Sequence, residues 1–303
     1  MSYMRFNFRS QCLGHYVDVS IVYPTDNYSY FPQKDGTVPD RQKADADPDG
    51  QKENRPPQAM AGNHKHVYMP GMKFQTVYLI HGGGDDDTLT YRYSNAERYA
   101  QDNNVMLVTP NIANSFGIDT RYGVNYQMFL AEELPVVIQS LFASSPERND
   151  NFIVGYAMGG NVALGTALMH PERFHTCVDI SGGIGMTLST ETLKEELDGD
   201  HFRNNFPLFN SSFGPSDEID GSAFDIETTA KEKLAEGSDV CDFHIICGSD
   251  EFIRERVEKD VDRLKELGYP VNYICPEGYT HDFVLWDKYI KYTLDELLPL
   301  KRQ

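Results

Sequence analysis

The stretch Asn151-Phe152-Ile153-Val154-Gly155-Tyr156-Ala157-Met158-Gly159-Gly160 restricts this chain more than any other. An apolar run ends at Gly155, a tight turn follows, and residues 161–169 have helical character. Strand, glycine-flanked turn and helix predict an elbow in which the middle residue is held on a strained turn. Glycines two positions to either side let strand and helix pass closely. Gly155 and Gly159 fill those two places. In G-x-S-x-G the middle residue is a serine; here it is Ala157, which has no oxygen to attack with.

Such an elbow needs a sheet around it, and the order of the chain supplies one. Residues 4–23 alternate polar and apolar positions, most clearly in Tyr16-Val17-Asp18-Val19-Ser20-Ile21-Val22-Tyr23, which predicts an antiparallel pair at a sheet edge. Apolar runs over 75–80, 105–110, 151–156, 177–181, 243–247 and 271–275 read as buried strands. Helical spacing separates them near 95–102, over 126–142 (Phe129, Leu130, Leu134, Val137, Ile138, Leu141) and over 253–267. A last helix is expected over 283–298. This alternation predicts an α/β fold with a mostly parallel sheet covered on both faces. A single domain spanning 1–303 is expected, with two interruptions. Residues 25–70 mix Pro32, Pro39, Pro48, Pro56 and Pro57 with Asp, Lys, Gln and Gly, and read as a long surface insertion. Residues 184–240 fall between two strands and carry Phe202, Phe206, Phe209 and Phe213; they form a candidate lid or a surface excursion with its own small core.

Composition narrows the partners. A net charge of −19 and a pI near 4.8 argue against nucleic acid or an anionic membrane, since both would be repelled. Five cysteines without CxxC spacing read as reduced thiols, three of them in buried strands. The N-terminus lacks a basic stretch followed by an apolar one, and no run of about 18 apolar residues occurs. A cytoplasmic protein is therefore expected. No HExxH, paired Cys/His spacing or G-x-G-x-x-G opening a first βαβ unit supports a metal or a nicotinamide cofactor, so none is expected. His64 and His66 read as solvated loop residues.

The elbow is similar to the G-Y-S-M-G-G of the α/β-hydrolase superfamily, in its esterase D and feruloyl (cinnamoyl) esterase branch. Gly278-Tyr279-Thr280-His281-Asp282-Phe283-Val284-Leu285-Trp286 matches that branch's G-x-x-H-D-F-x-x-W, and Cys247-Gly248-Ser249-Asp250-Glu251-Phe252 resembles its C-G-T-E-D-F. The resemblance covers most of residues 75–298 and implies a carboxylic ester hydrolase that works through an acyl-enzyme. Its catalytic groups follow in the order nucleophile, acid, base: position 157, Asp250 or Glu251, then His281. Register favours Glu251 as the acid; side-chain length and the family's own residue favour Asp250. Met158, at the helix N-terminus, would supply one oxyanion N–H. By analogy the other comes from the loop His81-Gly82-Gly83-Gly84, from Gly83 first and Gly82 next. Asp282 receives no role, and His81 reads as structural.

The resemblance makes hydroxycinnamoyl (feruloyl or chlorogenate-like) esters of plant origin the first substrate class. Tyr122, Tyr126, Phe209 and Phe213 are candidates to stack an aromatic acyl group. Acetyl or other short-chain sugar esters and S-formylglutathione compete, and so does a non-catalytic binder that uses the pocket without turnover. Two accounts of Ala157 remain: a natural pseudo-enzyme, or a working esterase whose serine was replaced. Decay would erode several parts of a site together. Here everything but the hydroxyl is present, which favours replacement.

Overall fold

The computed structural model describes residues 2–24, 71–183, 188–205 and 207–301. The expected insertion over 25–70, with His64 and His66, lies outside the described residues, as do Phe206 and the side chain of Phe202.

Eight strands form one sheet: β1 (Ser2–Arg9), β2 (Tyr16–Tyr23), β3 (Thr76–Ile80), β4 (Met106–Pro110), β5 (Asn151–Tyr156), β6 (Thr176–Ile180), β7 (Asp242–Ile246) and β8 (Val271–Ile274). Their spatial order is β1-β2-β4-β3-β5-β6-β7-β8. β1 pairs antiparallel with β2, and β2 with β4; every later pairing is parallel. β3, β4, β5 and β6 are buried at every position, which is why they read as continuous apolar runs. β1 stands at the edge and is exposed or half-buried throughout.

The two sheet faces carry separate cores. Tyr78, Ile80, Met106, Val108 and Ile153 pack with Phe129, Leu134, Ile138 and the helix Met158–Met169. On the other side, Val77, Leu79, Leu107, Phe152 and Val154 pack with Tyr99 and with Leu285, Trp286, Tyr289 and Ile290 of the helix Phe283–Tyr292. Helices over both faces of this sheet make the arrangement an α/β-hydrolase-like fold. Residues 126–141 are helical as their spacing predicts, with a wider π turn over Phe129–Glu133.

Between β6 and β7 the chain forms the helices Thr190–Asp198, Asp200–Asn205, Pro207–Phe213 and Ile226–Ala235. Phe209 and Phe213 are fully buried within the first core. They pack on each other, on Phe116 and on Phe224.

Candidate active site

Parallel strands leave their carboxyl ends along one edge of the sheet, and loops from five of them meet there. β5 runs into Ala157, whose backbone stands at φ 50° and ψ −126° with its N–H donating to the Ile180 carbonyl at 2.9 Å. A non-glycine residue at positive φ costs about 1–3 kcal/mol and persists where its surroundings force it. The forcing here is steric. A Cβ at Gly155 would lie 2.0 Å from the Gly159 carbonyl oxygen, and one at Gly159 would lie 2.2 Å from that of Ile80. Neither glycine admits a side chain without parting helix from sheet. Gly159→Ala is accordingly expected to cost at least about 3 kcal/mol. A thermal-melting comparison should show the midpoint down by about 5 °C or more, or no folded protein at all.

The loop after β3 carries the glycines. His81 is buried, and burial lowers its pKa. Its Nδ1–H donates to the Gly82 carbonyl at 2.8 Å while Nε2 accepts the Ile112 N–H at 3.0 Å, so the ring is neutral and ties this loop to the one after β4. Asn114 accepts the Gly84 N–H at 2.7 Å on its Oδ1. The three aspartates that follow separate onto different tasks. Asp87 is buried against the Arg5 guanidinium and the Ser20 hydroxyl, and Asp86 takes the Thr88 N–H and hydroxyl. Asp85 accepts the Tyr156 hydroxyl at 3.0 Å, and desolvation holds its carboxyl above the usual range.

The loops after β7 and β8 bring in the candidate acid and base. His281 Nδ1 lies 2.7 Å from Glu251 Oε2. Glu251 is buried; Asp250 points outward, its Oδ1 accepting the Ser249 hydroxyl at 2.7 Å. Of the two candidate carboxylates, Glu251 is therefore the one the structure joins to the imidazole. Burial drives the Glu251 carboxyl upward, but bonds from His281, Ser181 and the Gly248 N–H outweigh it and hold it below the ordinary value. Buried and ionised, it favours the imidazole tautomer with Nδ1 protonated and Nε2 free to accept a proton. Trp286 stands edge-on to the His281 ring at 5.0 Å and stacks on Tyr156 at 5.0 Å. Asp282 is the N-cap of the last helix, its Oδ1 accepting the Val284 N–H at 2.8 Å.

A cavity of about 240 Å³ opens between these loops, lined by Gly82, Gly83, Asp85, Asn114, Phe116, Ala157, Met158, His281 and Trp286. Position 157, His281, Met158 and both candidate oxyanion glycines thus line one cavity. The four aromatics singled out in the sequence do not line it. Tyr122 is 75% exposed, Tyr126 is half-buried, and Phe209 and Phe213 belong to the core. Phe209 meets the ring of Phe116, a cavity-lining residue, at 4.9 Å. No described residue of 188–240 lines the cavity either. Asn114, Phe116 and Asp85 do line it, and sequence reasoning missed them as site residues. The one signal for Asp85 was its place directly after the glycines. Among the described residues, Glu132, His170 and Glu172 have metal-ligand spacing, but Glu132 pairs with Arg173 and none of the three lines the cavity. No helix among the described residues is long and apolar enough to cross a membrane.

The chain is 27% identical over 247 residues to an acetyl esterase of Caldicellulosiruptor saccharolyticus, covering 74% of this chain and 86% of that protein. Among solved structures it is similar to an S-formylglutathione hydrolase of Staphylococcus aureus, with a TM-score of 0.71, 22% identity and 98% of both chains covered. A ferulic acid esterase also superposes, with a TM-score of 0.65 and 14% identity over 98% of this chain and 97% of that one. The family described as "Putative esterase" matches residues 63–218, just over half of the 303-residue chain, and the chain belongs to that esterase family.

Proposed function

We propose that this is the site of a serine carboxylic ester hydrolase in which Ala157 stands where the working enzyme carries its nucleophile. The observation that carries the reading is that His281, bonded to the buried Glu251, lines the same cavity as Ala157. With a serine at 157, His281 Nε2 would take the hydroxyl proton as the oxygen attacks the ester carbonyl. The Met158 and Gly83 N–H groups would receive the oxyanion, and His281 would return the proton to the departing alcohol. As it stands, the chain forms no acyl-enzyme and binds an intact ester.

The cavity favours a small uncharged ester. Its volume of about 240 Å³ falls below the roughly 300–1,000 Å³ of sites for drug-sized ligands. Among the described residues no Lys or Arg lines it, while Asp85 does, in a chain of net charge −19. S-formylglutathione, which carries carboxylates, meets repulsion there. An acetyl or similarly short acyl ester of a sugar or other polyol fits best, and the acetyl esterase relative supports that class. A hydroxycinnamoyl ester is the second reading, supported by Phe116 and Trp286 in the cavity wall.

The test is a side-by-side assay of Ala157→Ser on an acetylated sugar, p-nitrophenyl acetate, methyl ferulate, chlorogenate and S-formylglutathione. Preference for the acetates supports the first reading, and preference for methyl ferulate supports the second. Failure on all five in a folded protein would leave a non-catalytic binder. In the same background, Asp85→Asn is expected to raise kcat/KM for S-formylglutathione relative to p-nitrophenyl acetate by about tenfold. An unchanged ratio would show that Asp85 does not set charge preference.

A further inference from the structure

Ser181 follows β6 and is fully buried, with φ 62°, a conformation that residues bearing a Cβ rarely adopt. Its N–H is taken by the Ile246 carbonyl at 2.7 Å. Its Oγ lies 3.1 Å from Trp286 Nε1 and 2.7 Å from Glu251 Oε1. The direction of these two bonds is forced. An indole N–H only donates, so Oγ accepts from Trp286 and its own proton goes to Glu251. The Gly248 N–H donates to the same carboxylate oxygen at 2.8 Å. Oε1 is thus occupied by two donors, and Oε2 is the oxygen left for His281 Nδ1 at 2.7 Å.

We propose that Ser181 is a positioning residue for ester cleavage, its hydroxyl, oriented by the Trp286 indole, holding the Glu251 carboxylate in the orientation that meets His281. The inference rests on the proposed hydrolase reading. Backbone alone does not account for a serine here, because a glycine would adopt the same φ without strain. A hydroxyl offers what glycine lacks: one acceptor for the indole and one proton for the carboxylate. Among the described residues, Asp179 on β6 and Cys247, directly after β7, are further ionisable groups near Glu251. Burial raises the pKa of both, Asp179 well above the ordinary value, so the thiol and the carboxyl are held toward their neutral forms and the donors on Glu251 carry the balance.

The experiment compares Ser181→Gly, Ser181→Ala and Trp286→Phe, each in the Ala157→Ser background, with thermal melting to show that each is folded. Loss of a hydrogen bond to a charged group predicts a fall in kcat of about ten- to a hundredfold for both Ser181 variants, with KM changed less than twofold. The acid limb of the kcat profile should move up, because a Glu251 carboxylate that has lost one donor turns more negative charge toward His281 and favours the protonated imidazole, which cannot act as a base. Trp286→Phe should shift the same limb in the same direction, by less. A merely structural role would leave the limb in place, and Ser181→Gly retaining both kcat and the limb overturns the proposal. A second measurement needs no turnover: titration of the Glu251 carboxyl by carbon NMR in the Ala157 chain, with and without Ser181→Gly. A higher midpoint in the variant supports the proposal even if serine restoration yields no activity, and an unchanged midpoint overturns it.

Discussion

Ala157→Ser is expected to raise ester turnover by on the order of 10⁶-fold over the chain as it stands, the scale of losing a nucleophile from an otherwise complete triad. The backbone has already met the demand such a residue makes. Ala157 bears a Cβ at φ 50° and ψ −126°, so a serine adds one oxygen at an unchanged backbone and introduces no new strain. That oxygen would enter the cavity that His281 also lines. The donors for the oxyanion do not depend on it, so the alanine chain retains some advantage over water, about 10³–10⁴-fold. It should also bind an intact ester with nearly the affinity of the serine form. Measurement of kcat for both chains, with calorimetric Kd for an ester on the alanine chain, checks both halves. Equal turnover by the two chains would mean that the reaction does not pass through position 157. Binding without turnover in the serine form would mark a pseudo-enzyme.

Much of this site was legible because its elements are repetitive or sterically singular. β3, β4, β5 and β6 are sandwiched between two cores, so each reads as a run of apolar residues. Gly155 and Gly159 touch carbonyl oxygens through the gap where a side chain would be, and nothing else fits. The choice between Asp250 and Glu251 was open because adjacent residues differ only in which way the turn after β7 aims them. The Glu251 N–H bonded to the Gly248 carbonyl at 3.2 Å closes a turn that sends 251 inward and 250 to solvent. Aromatic identity carried less. A phenylalanine in an insertion serves a ligand or the insertion's own core equally well on paper. Phe209 and Phe213 went to the core, beside Leu193, Leu197, Ile219 and Ile226. Ser181 left no trace in the pattern, since a polar residue ending a strand is commonplace. Its meaning comes from Trp286 and Glu251, respectively 105 and 70 residues away in sequence.

Glu251→Gln in the serine-restored enzyme is expected to lower kcat by about 10⁴-fold, through tautomer choice rather than loss of shape. Glutamine is nearly isosteric with glutamate, but its two ends differ. The site at Oε1 receives two donors, the Ser181 hydroxyl at 2.7 Å and the Gly248 N–H at 2.8 Å, and so selects the amide oxygen. The NH₂ group is then left at the Oε2 position, facing His281 Nδ1. An amide donor there requires Nδ1 to accept, which places the ring proton on Nε2. A ring protonated at Nε2 cannot take the proton of an attacking serine. The negative charge that would stabilise the imidazolium is lost at the same time. Asp250→Asn changes an exposed side chain whose bond runs to Ser249, and should alter kcat by no more than a few-fold. Steady-state kinetics on p-nitrophenyl acetate, with melting curves to establish that both variants fold, separates the two carboxylates. A larger loss at Asp250 would mean that the acid orienting His281 during turnover is not the one it meets here.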